Sequence, residues 1–264
     1  MKGNRVSIVR FGTRQGRKSE VYLNWGIYGI PDAPIGMDYF FWVIHTADGP
    51  ILVDTGFSTE GGERRARTFL THPKDAFESL GLTAESRPEV LVTHAHYDHI
   101  GNLDAFPKSR VTIAAAELEF WTSGMEHRRQ FHHSVEDAEL AELRSVRDEG
   151  RIRTFENEIE IADGVRMLRV GGHTPGQSIV LVDTAEGTVA LASDAVHYYE
   201  EYEQDFPFAF VADLPAMYAA FDLLHDLEAT GRVQHVVSGH DPSTLDRFRR
   251  LHDGPLPGDI AEIG

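Results

Sequence analysis

Four side chains that can bind a metal ion lie within six residues of this sequence, in the segment HAHYDH at residues 94–99. An apolar run, Glu89–Thr93, precedes them and predicts a short buried strand. Imidazole and carboxylate are the ligands that zinc accepts where no thiolate is present. Alternate residues of a loop point the same way, so His94 and His96 can bind one ion, and Asp98 and His99 a second. A metal-free surface loop is the alternative, and the density of ligands argues against it.

The segment resembles the HxHxDH signature of the metallo-β-lactamase superfamily. Four further motifs of that family follow the expected order: DTG at residues 54–56, GHTPG at 172–176, SD at 193–194 and GHD at 239–241. The resemblance covers roughly residues 39–240. It implies one metal on His94, His96 and His173, a second on Asp98, His99 and His240, and Asp194 bridging the two. Asp54 is interpreted as a residue that orients a ligand histidine or holds the loop, rather than as a metal ligand.

The composition narrows the chemistry that the protein can perform. The chain has 264 residues, no cysteine and 14 histidines, with a formal net charge of −17. The absence of cysteine excludes disulfides, thiolate nucleophiles and iron–sulfur clusters, so nitrogen and oxygen must hold any metal. The acidic balance predicts that neither nucleic acid nor an anionic membrane is a partner.

The hydrophobic pattern predicts an α/β protein. Strands are expected at Val6–Phe11, Tyr39–His45 and Pro50–Asp54, and again from Ile159 to Ala192, each group being followed by helices. Ser134–Glu149 is predicted as a helix with a capping box at Ser134 and Asp137, and Leu214–Thr230 as an amphipathic helix. Glu63–Leu80, which Pro73 interrupts, is predicted as helical pieces around a loop.

Two similar groups of strands, with ligand candidates at strand ends, predict two sheets packed face to face with helices outside. The resemblance implies the four-layer αββα sandwich of the metallo-β-lactamase type. A single domain over residues 1–264 is the simplest interpretation. The N-terminus lacks a signal-peptide pattern and no apolar run is long enough to span a bilayer, so a cytoplasmic protein is expected.

The resemblance implies a hydrolase with two divalent metal ions. Zinc is the default ion, and iron, manganese or cobalt can use the same ligands. Two ions about 3.5–4 Å apart lower the pKa of a shared water to about 7 and supply a bridging hydroxide as nucleophile. Asp98 is the candidate for carrying a proton to the leaving oxygen.

Within the superfamily the sequence most resembles the N-acyl-homoserine lactonases, which implies opening of a lactone ring and a role in quorum quenching. Those lactonases carry a tyrosine three residues after the bridging aspartate. Here that position is His197, followed by Tyr198, and these two are the candidate substrate-contacting residues. A cyclic amide or imide hydrolase and a thioesterase are the alternatives on the same site. The basic cluster of Arg247, Arg249 and Arg250 gives the thioesterase little support.

The expected substrate is small, apolar and uncharged. Residues 197–210 are rich in aromatic and acidic side chains, and we expect some of the rings to line an apolar pocket and the acids to form a rim that repels anions. Trp25–Tyr28 and Tyr39–Trp42 are candidates for the opposite wall. His127, His132 and His133 are interpreted as surface residues, and a homodimer is expected from the apolar N-terminal third.

Overall fold

Two β-sheets pack face to face at the centre of the structure, a computed structural model that describes residues 3–264. The strands are β1 (Arg5–Arg17), β2 (Pro34–Thr46), β3 (Gly49–Val53), β4 (Thr68–Phe69), β5 (Glu89–Val92), β6 (Val111–Ala114), β7 (Ile152–Phe155), β8 (Glu158–Ala162), β9 (Val165–Arg169), β10 (Ser178–Thr184), β11 (Gly187–Ser193), β12 (His235–Ser238), β13 (Arg249–Leu251) and β14 (Ile260–Ile263). The first sheet has the order β13-β14-β1-β2-β3-β5-β6-β7, with β4 paired to β1, and the second has the order β12-β11-β10-β9-β8.

Helices cover the outer faces of both sheets. They are α1 (Lys18–Val21), α2 (Thr59–Arg64), α3 (Pro73–Ser79), α4 (Tyr97–Ile100), α5 (Ala115–Phe120), α6 (Arg129–His132), α7 (Asp137–Asp148), α8 (Tyr199–Glu203) and α9 (Leu214–Ala229), with 3₁₀ turns at Trp25–Tyr28, Leu103–Ala105, Met125–His127 and Thr244–Arg247. The architecture is therefore the predicted four-layer αββα sandwich. No helix within residues 3–264 is both long and apolar enough to cross a membrane.

Strand β2 shows how the layers arise from sequence. Successive side chains of a strand point to opposite faces of its sheet. Trp42 and Ile44 therefore join the core between the two sheets, while Phe41 and Val43 pack beneath the helices outside the first sheet. Because both faces are covered, the strand is apolar throughout its centre instead of alternating with polar residues.

Helix α9 covers the second sheet. Met217, Phe221, Leu224 and Leu227 recur at helical spacing and all lie in the core on that side. The helix begins with Asp213, whose carboxylate accepts a hydrogen bond from the Ala216 backbone N–H at 3.0 Å. The amphipathic pattern had predicted this helix.

Two local predictions were wrong in part. The segment 63–80 does contain helical pieces around a loop, but the loop includes the short strand β4. Pro73 begins α3 instead of breaking a helix, because its missing N–H is not needed in a first turn. The predicted capping box at Ser134 is also absent: α7 starts at Asp137 after Glu136, and the Ser134 hydroxyl donates to the Phe131 carbonyl.

Candidate metal centre

The HAHYDH segment connects β5 to α4 at the edge where several strands end. His94 follows β5 by two residues, and His96 is the N-cap of α4, which carries Asp98 and His99. Asp194 follows β11, His240 follows β12 by two residues, and His173 lies between β9 and β10. β11 and β12 are parallel neighbours, so their carboxyl ends meet at this edge. All seven predicted ligands are buried together here, none more than 7% exposed.

The first group contains His94, His96, His173 and Asp194. His96 Nδ1 lies 3.0 Å from His94 Nε2 and 2.9 Å from His173 Nε2. Asp194 Oδ2 completes the group at 3.3 Å from His173 Nε2 and 3.7 Å from His94 Nε2. Three imidazoles and a carboxylate thus direct their ligand atoms at one point.

The second group contains Asp98, His99 and His240. Each oxygen of Asp98 lies 3.8 Å from the Nε2 of one of the two histidines. Asp194 Oδ1 lies 3.3 Å from His99 Nε2 and 3.1 Å from His240 Nε2. Because its other oxygen belongs to the first group, Asp194 occupies the bridging position that the resemblance implied.

Partners outside the two groups fix the orientation of the ligand rings. The Nδ1–H of His173 donates to the Phe210 carbonyl, and that of His240 to the Asp38 carbonyl, each at 2.8 Å. His99 Nδ1 lies 2.8 Å from Asp54 Oδ2, which confirms the predicted role of Asp54. In each case Nε2 is left with its lone pair directed at the centre.

Protonation of the first group suits metal binding. Burial lowers the pKa of His94 and His96 well below the ordinary value of 6.5, and it lowers the pKa of His173 to about 3. These three imidazoles are therefore neutral, which is the form that binds metals. Despite its burial, Asp194 has a pKa well below its usual range because His240, His197 and His99 surround it.

The donor set fits two divalent cations. His99 Nε2 and Asp194 Oδ1 face each other in the second group, and both are buried yet make no hydrogen bond within the described residues. Buried polar atoms are nearly always satisfied, so such a cluster indicates bound ions. Nitrogen and carboxylate ligands with no sulfur are compatible with zinc and with the other first-row metals.

A buried carboxylate that sequence reasoning missed connects two of the ligand loops. Glu117, in the first turn of α5, accepts from the backbone N–H of Ala95 and of Gly176, each at 2.9 Å. It also accepts from the Thr174 hydroxyl at 2.6 Å and from Trp121 Nε1 at 2.7 Å. The loop of His94 and His96 is thereby joined to the loop of His173. The sequence signal was weak, because Glu117 is one of two glutamates in the largely apolar run VTIAAAELEF.

Strained backbone supports the centre at two strand ends. Asp54 has φ +62° and Ser193 has φ +46°, in the left-handed region that side chains with a Cβ seldom adopt. Thr93 connects them: its backbone N–H donates to Asp54 Oδ1 at 2.8 Å, and its hydroxyl lies 2.7 Å from Asp54 Oδ2 and 2.8 Å from the Ser193 hydroxyl. These bonds hold in place the two turns that carry the site.

Glycine is required beside His173. Gly172 has φ +89°, and a Cβ there would lie 2.6 Å from Cα of Met217 in α9. The close approach lets the loop of His173 pack directly on the helix that covers the second sheet. The glycine of the GHTPG motif therefore has a packing role next to the ligand.

A cavity of about 540 Å³ opens onto both metal groups. Phe208, Ala209 and Phe210 form one wall, as predicted for residues 197–210, whereas Tyr199, Tyr202 and Phe206 of the same segment are buried in the core. Met37, Tyr39 and Tyr97 contribute elsewhere on the lining.

Of the candidates for the opposite wall, Tyr39 alone lines the cavity. Trp25 packs against Phe206 in the core, and Phe40 and Trp42 lie between the sheets. His133 is exposed, as predicted, but it stands at the cavity, with its ring 4.4 Å from that of Phe210.

The cavity rim differs in charge from the expectation. Apart from the ligands Asp98 and Asp194, Glu20 is the acidic residue among its lining, together with the arginines Arg14, Arg65 and Arg67. The acids of residues 197–210 are directed elsewhere: Glu200 pairs with Lys18, and Glu201 is fully buried. The prediction of an acidic rim was wrong because it assumed that the acidic side chains of residues 197–210 face the cavity.

Of the two candidate substrate-contacting residues, the structure places His197 at the cavity and Tyr198 in the core. His197 lines the cavity, stacks on Phe208 at 3.8 Å between ring centroids, and directs Nε2 to within 3.1 Å of Asp194 Oδ2. Glu201 holds it by accepting from its backbone N–H at 2.6 Å and from Nδ1–H at 3.1 Å. Tyr198 packs edge-on against Tyr22 in the core and is absent from the cavity lining.

The fold and this ligand arrangement define the class of protein. The sequence profile of the metallo-beta-lactamase superfamily matches residues 37–250. The chain belongs to that superfamily.

More specific similarities are to lactonases. An N-acyl homoserine lactonase from a Bacillus species is 25% identical over 227 residues, which cover 80% of this chain and 81% of the relative. A quorum-quenching N-acyl homoserine lactone lactonase superposes with a TM-score of 0.78 at 21% identity, covering 94% of this chain and 97% of the other. AidC, a dizinc quorum-quenching lactonase solved with a product, gives a TM-score of 0.70 at 18% identity, covering 92% and 89%.

Proposed function

We propose that this protein hydrolyses the ester bond of a small lactone, with N-acyl-homoserine lactones as the leading substrates. The observation that carries the proposal is the pair of ligand groups sharing Asp194 at the floor of a partly aromatic cavity. The similarity to a Bacillus N-acyl homoserine lactonase supports a lactone as the substrate. The proposed metal is zinc.

Seven side chains would hold the metals: His94, His96, His173 and Asp194 on one side, and Asp98, His99, His240 and the shared Asp194 on the other. When bound, two divalent ions supply Lewis acidity and lower the pKa of water at the site. The protein contributes ligands held in position before substrate arrives, and a cavity in which substrate displaces solvent.

Two side chains of the cavity have proposed roles in proton transfer and substrate orientation. Asp98 lines the cavity and would carry a proton on its carboxylate from water to the leaving alkoxide oxygen of the ring. His197 would orient the substrate carbonyl. Glu201 accepts its Nδ1–H, and Nε2 faces the cavity 3.1 Å from Asp194 Oδ2. With Asp194 engaged as a metal ligand, an Nε2–H on this ring would donate to the carbonyl oxygen.

The test is a hydrolysis panel on metal-replete protein. It contains acyl-homoserine lactones of several chain lengths, other γ- and δ-lactones, cyclic imides and thioesters. We expect turnover of lactones, and its loss in His96→Ala and Asp194→Ala. Turnover of amide rings alone would replace the proposal with a cyclic amidohydrolase, and turnover of thioesters alone with a thioesterase. Metal analysis of the same samples tests the zinc assignment.

Several expectations from the sequence remain proposals. The single domain, the cytoplasmic location and the homodimer are tested by limited proteolysis, cell fractionation and light scattering. An apolar portion of the substrate is supported by Phe208 and Phe210 in the lining. The predicted absence of charge on the substrate has less support, because three arginines line the same cavity.

A further inference from the structure

Two arginines of the cavity lining lack an acidic partner. Within residues 3–264, neither Arg14 nor Arg67 forms an ion pair with a carboxylate, although the chain has 42 acidic residues and a net charge of −17. Arg65, the third arginine of the lining, differs: it pairs with Glu136 at 2.5 Å and donates to the His133 carbonyl at 2.6 Å. The charge of Arg65 is therefore satisfied by the protein.

Arg14 and Arg67 reach the same cavity from two paired strands. In the antiparallel pairing of β1 with β4, Gly12 is opposite Phe69 and Thr13 is opposite Thr68. Arg14 and Arg67 are the next residues beyond this pairing, and both line the cavity. Two like charges that share a cavity repel each other. An arrangement of two half-buried guanidinium groups is stabilised when an anion binds between them.

Hydrogen bonds within the protein leave donors free on both guanidinium groups. Arg67 donates from Nε to the Tyr97 hydroxyl at 3.0 Å and from Nη1 to the Arg65 carbonyl at 2.7 Å, so Nη2 remains. Arg14 donates from Nε to the Met37 sulfur at 3.2 Å, a weak acceptor. These contacts fix the two side chains without neutralising them.

The nearby carboxylates are committed elsewhere. Asp38 pairs with Arg10 at 2.9 Å and accepts from the Thr13 hydroxyl at 2.7 Å. Glu20 accepts from the backbone N–H of Arg17 at 3.0 Å, where it caps α1. Asp98 also lines the cavity, and its charge helps to raise the pKa of Arg67, but it belongs to the second ligand group. Within residues 3–264, no carboxylate forms an ion pair with either guanidinium group.

The guanidinium pair lies one ring away from the metal ligands. Tyr39 packs edge-on against His240, with ring centroids 5.1 Å apart, and Arg67 Cζ lies 5.8 Å from the Tyr39 ring. A substrate whose reacting ring is at the ligands can thus place a substituent against Arg14 and Arg67. The planar fork of donors on arginine suits a carboxylate, which accepts two parallel hydrogen bonds.

We propose that the physiological substrate is a lactone bearing a carboxylate on the arm beyond its ring, and that Arg14 and Arg67 bind this carboxylate. The inference rests on the proposed lactone hydrolysis and replaces the uncharged substrate expected from sequence. It makes the two arginines determinants of specificity, because a neutral arm leaves both charges without a partner.

The experiment compares two lactones whose arms have the same length and differ in the terminal group, a methyl or a carboxylate: N-hexanoyl-homoserine lactone and N-adipoyl-homoserine lactone. For metal-replete wild type at low salt, we expect kcat/KM to be at least about 10-fold higher for the carboxylate substrate. In Arg67→Gln and Arg14→Gln, we expect KM for that substrate to rise about 10- to 100-fold, and kcat/KM for the neutral one to change less than about 3-fold. The preference also declines with added salt.

Two further variants serve as controls. Arg67→Lys keeps the charge and should retain part of the preference. Arg232→Gln removes a charge from an exposed position before β12, at the end of that strand away from His240, and should leave both substrates unaffected. If Arg67→Gln does not fold, the test uses Arg14→Gln alone. That substitution removes only a weak contact to the Met37 sulfur.

Binding measurements separate this inference from the proposed activity. The hexanoyl and adipoyl derivatives of 3-amino-2-pyrrolidinone keep the ring and arm but replace the ester by an amide. Calorimetric titration should give tighter binding of the adipoyl compound to wild type, and no difference in Arg67→Gln. If no lactone is hydrolysed but this difference in affinity appears, the proposed carboxylate site is supported and the proposed lactone hydrolysis is wrong. Equal affinities, or equal kcat/KM values in wild type, overturn the carboxylate site.

Discussion

Single side chains at the centre depend on neighbours that are not ligands. His99, His173 and His240 present Nε2 to the metal positions because Asp54, the Phe210 carbonyl and the Asp38 carbonyl accept from Nδ1. His197 has the same kind of support from Glu201, although it belongs to neither ligand group. A residue with such a partner has its orientation fixed before substrate binds.

His197→Phe should reduce kcat for lactone hydrolysis by about 10- to 100-fold, because a side chain with Nε2 at the cavity wall is replaced by one with no donor. The metal content should stay at the wild-type value. Tyr198→Phe is the matched control, since that hydroxyl is buried without a partner and lies away from the cavity. The reverse pattern, with Tyr198→Phe the more damaging, would restore the tyrosine as the substrate-contacting residue.

Glu139, on α7, predicts a pH dependence of stability. Burial raises its pKa to about 8, Glu136 adds to the effect, and the Ser58 hydroxyl donates to Oε1 at 2.6 Å. The folded state therefore binds a proton that the unfolded chain, with a pKa near 4.5, releases earlier. Stability from this group is fully present below pH 4.5 and is lost as pH rises to about 8.

Glu139→Gln should remove that dependence, because an amide has no charge to desolvate. Between pH 5 and pH 8, wild type should lose about 1–3 kcal/mol of unfolding free energy relative to the variant. Urea unfolding at several pH values measures the difference. Glu142→Gln, one turn further along α7, is the control, and parallel pH profiles for wild type and Glu139→Gln would contradict the prediction.

The elements bring the ligands together through the ends of strands. β5, β11 and β12 each end within two residues of a ligand, and α4 begins at His96 and carries two more. Helix α5 has a separate role, since Glu117 in its first turn joins the loop of His96 to the loop of His173. The positions of both loops thus depend on one carboxylate.

Glu117→Gln tests that connection. An amide retains one accepting oxygen, and its NH₂ would face backbone N–H donors, so two of the four hydrogen bonds are lost or become repulsive. We expect metal affinity to fall about 10- to 100-fold and stability by about 2–3 kcal/mol. Competition with a chelator and urea unfolding measure the two effects. Glu119→Gln, exposed on the same helix, should change neither.

At the scale of the whole molecule, the centre joins parts that are distant in sequence. Ligands come from residues 94–99, 173, 194 and 240, and the supporting carbonyl of Asp38 comes from β2 of the first sheet. Several buried polar atoms at the same edge, among them His99 Nε2 and Asp194 Oδ1, have no hydrogen-bond partner within residues 3–264. Bound ions would therefore stabilise the contact between the two halves of the sandwich.

Removal of metal should lower the melting temperature by about 5–10 °C, because ions that bind only the folded state contribute to its stability. Differential scanning calorimetry of the protein before and after treatment with a chelator measures the change. Adding zinc back should restore the original value. Asp194→Ala, which lacks the bridging ligand, should respond little to either treatment. An unchanged melting temperature in wild type would mean that the ligands do not hold structural metal.

The sequence by itself determined the fold class and the set of metal-ligand candidates. The density of ligands in residues 94–99 pointed to a metal site, and the resemblance of the other short motifs to those of the superfamily added His173, Asp194 and His240. The same local reasoning missed β4 and the true start of α7, because there the outcome depended on pairing with β1 and on backbone contacts from other segments.

Only the tertiary structure decided which neighbouring side chain faces the site. It brought His197 to the cavity and Tyr198 into the core, buried Glu117 between two loops, and brought Arg14 and Arg67 to the same cavity. The acidic side chains of residues 197–210 had predicted an acidic rim, and the fold instead directed three arginines to the cavity. The physical reason is that side-chain direction and charge pairing are properties of packed elements, which no local window of sequence contains.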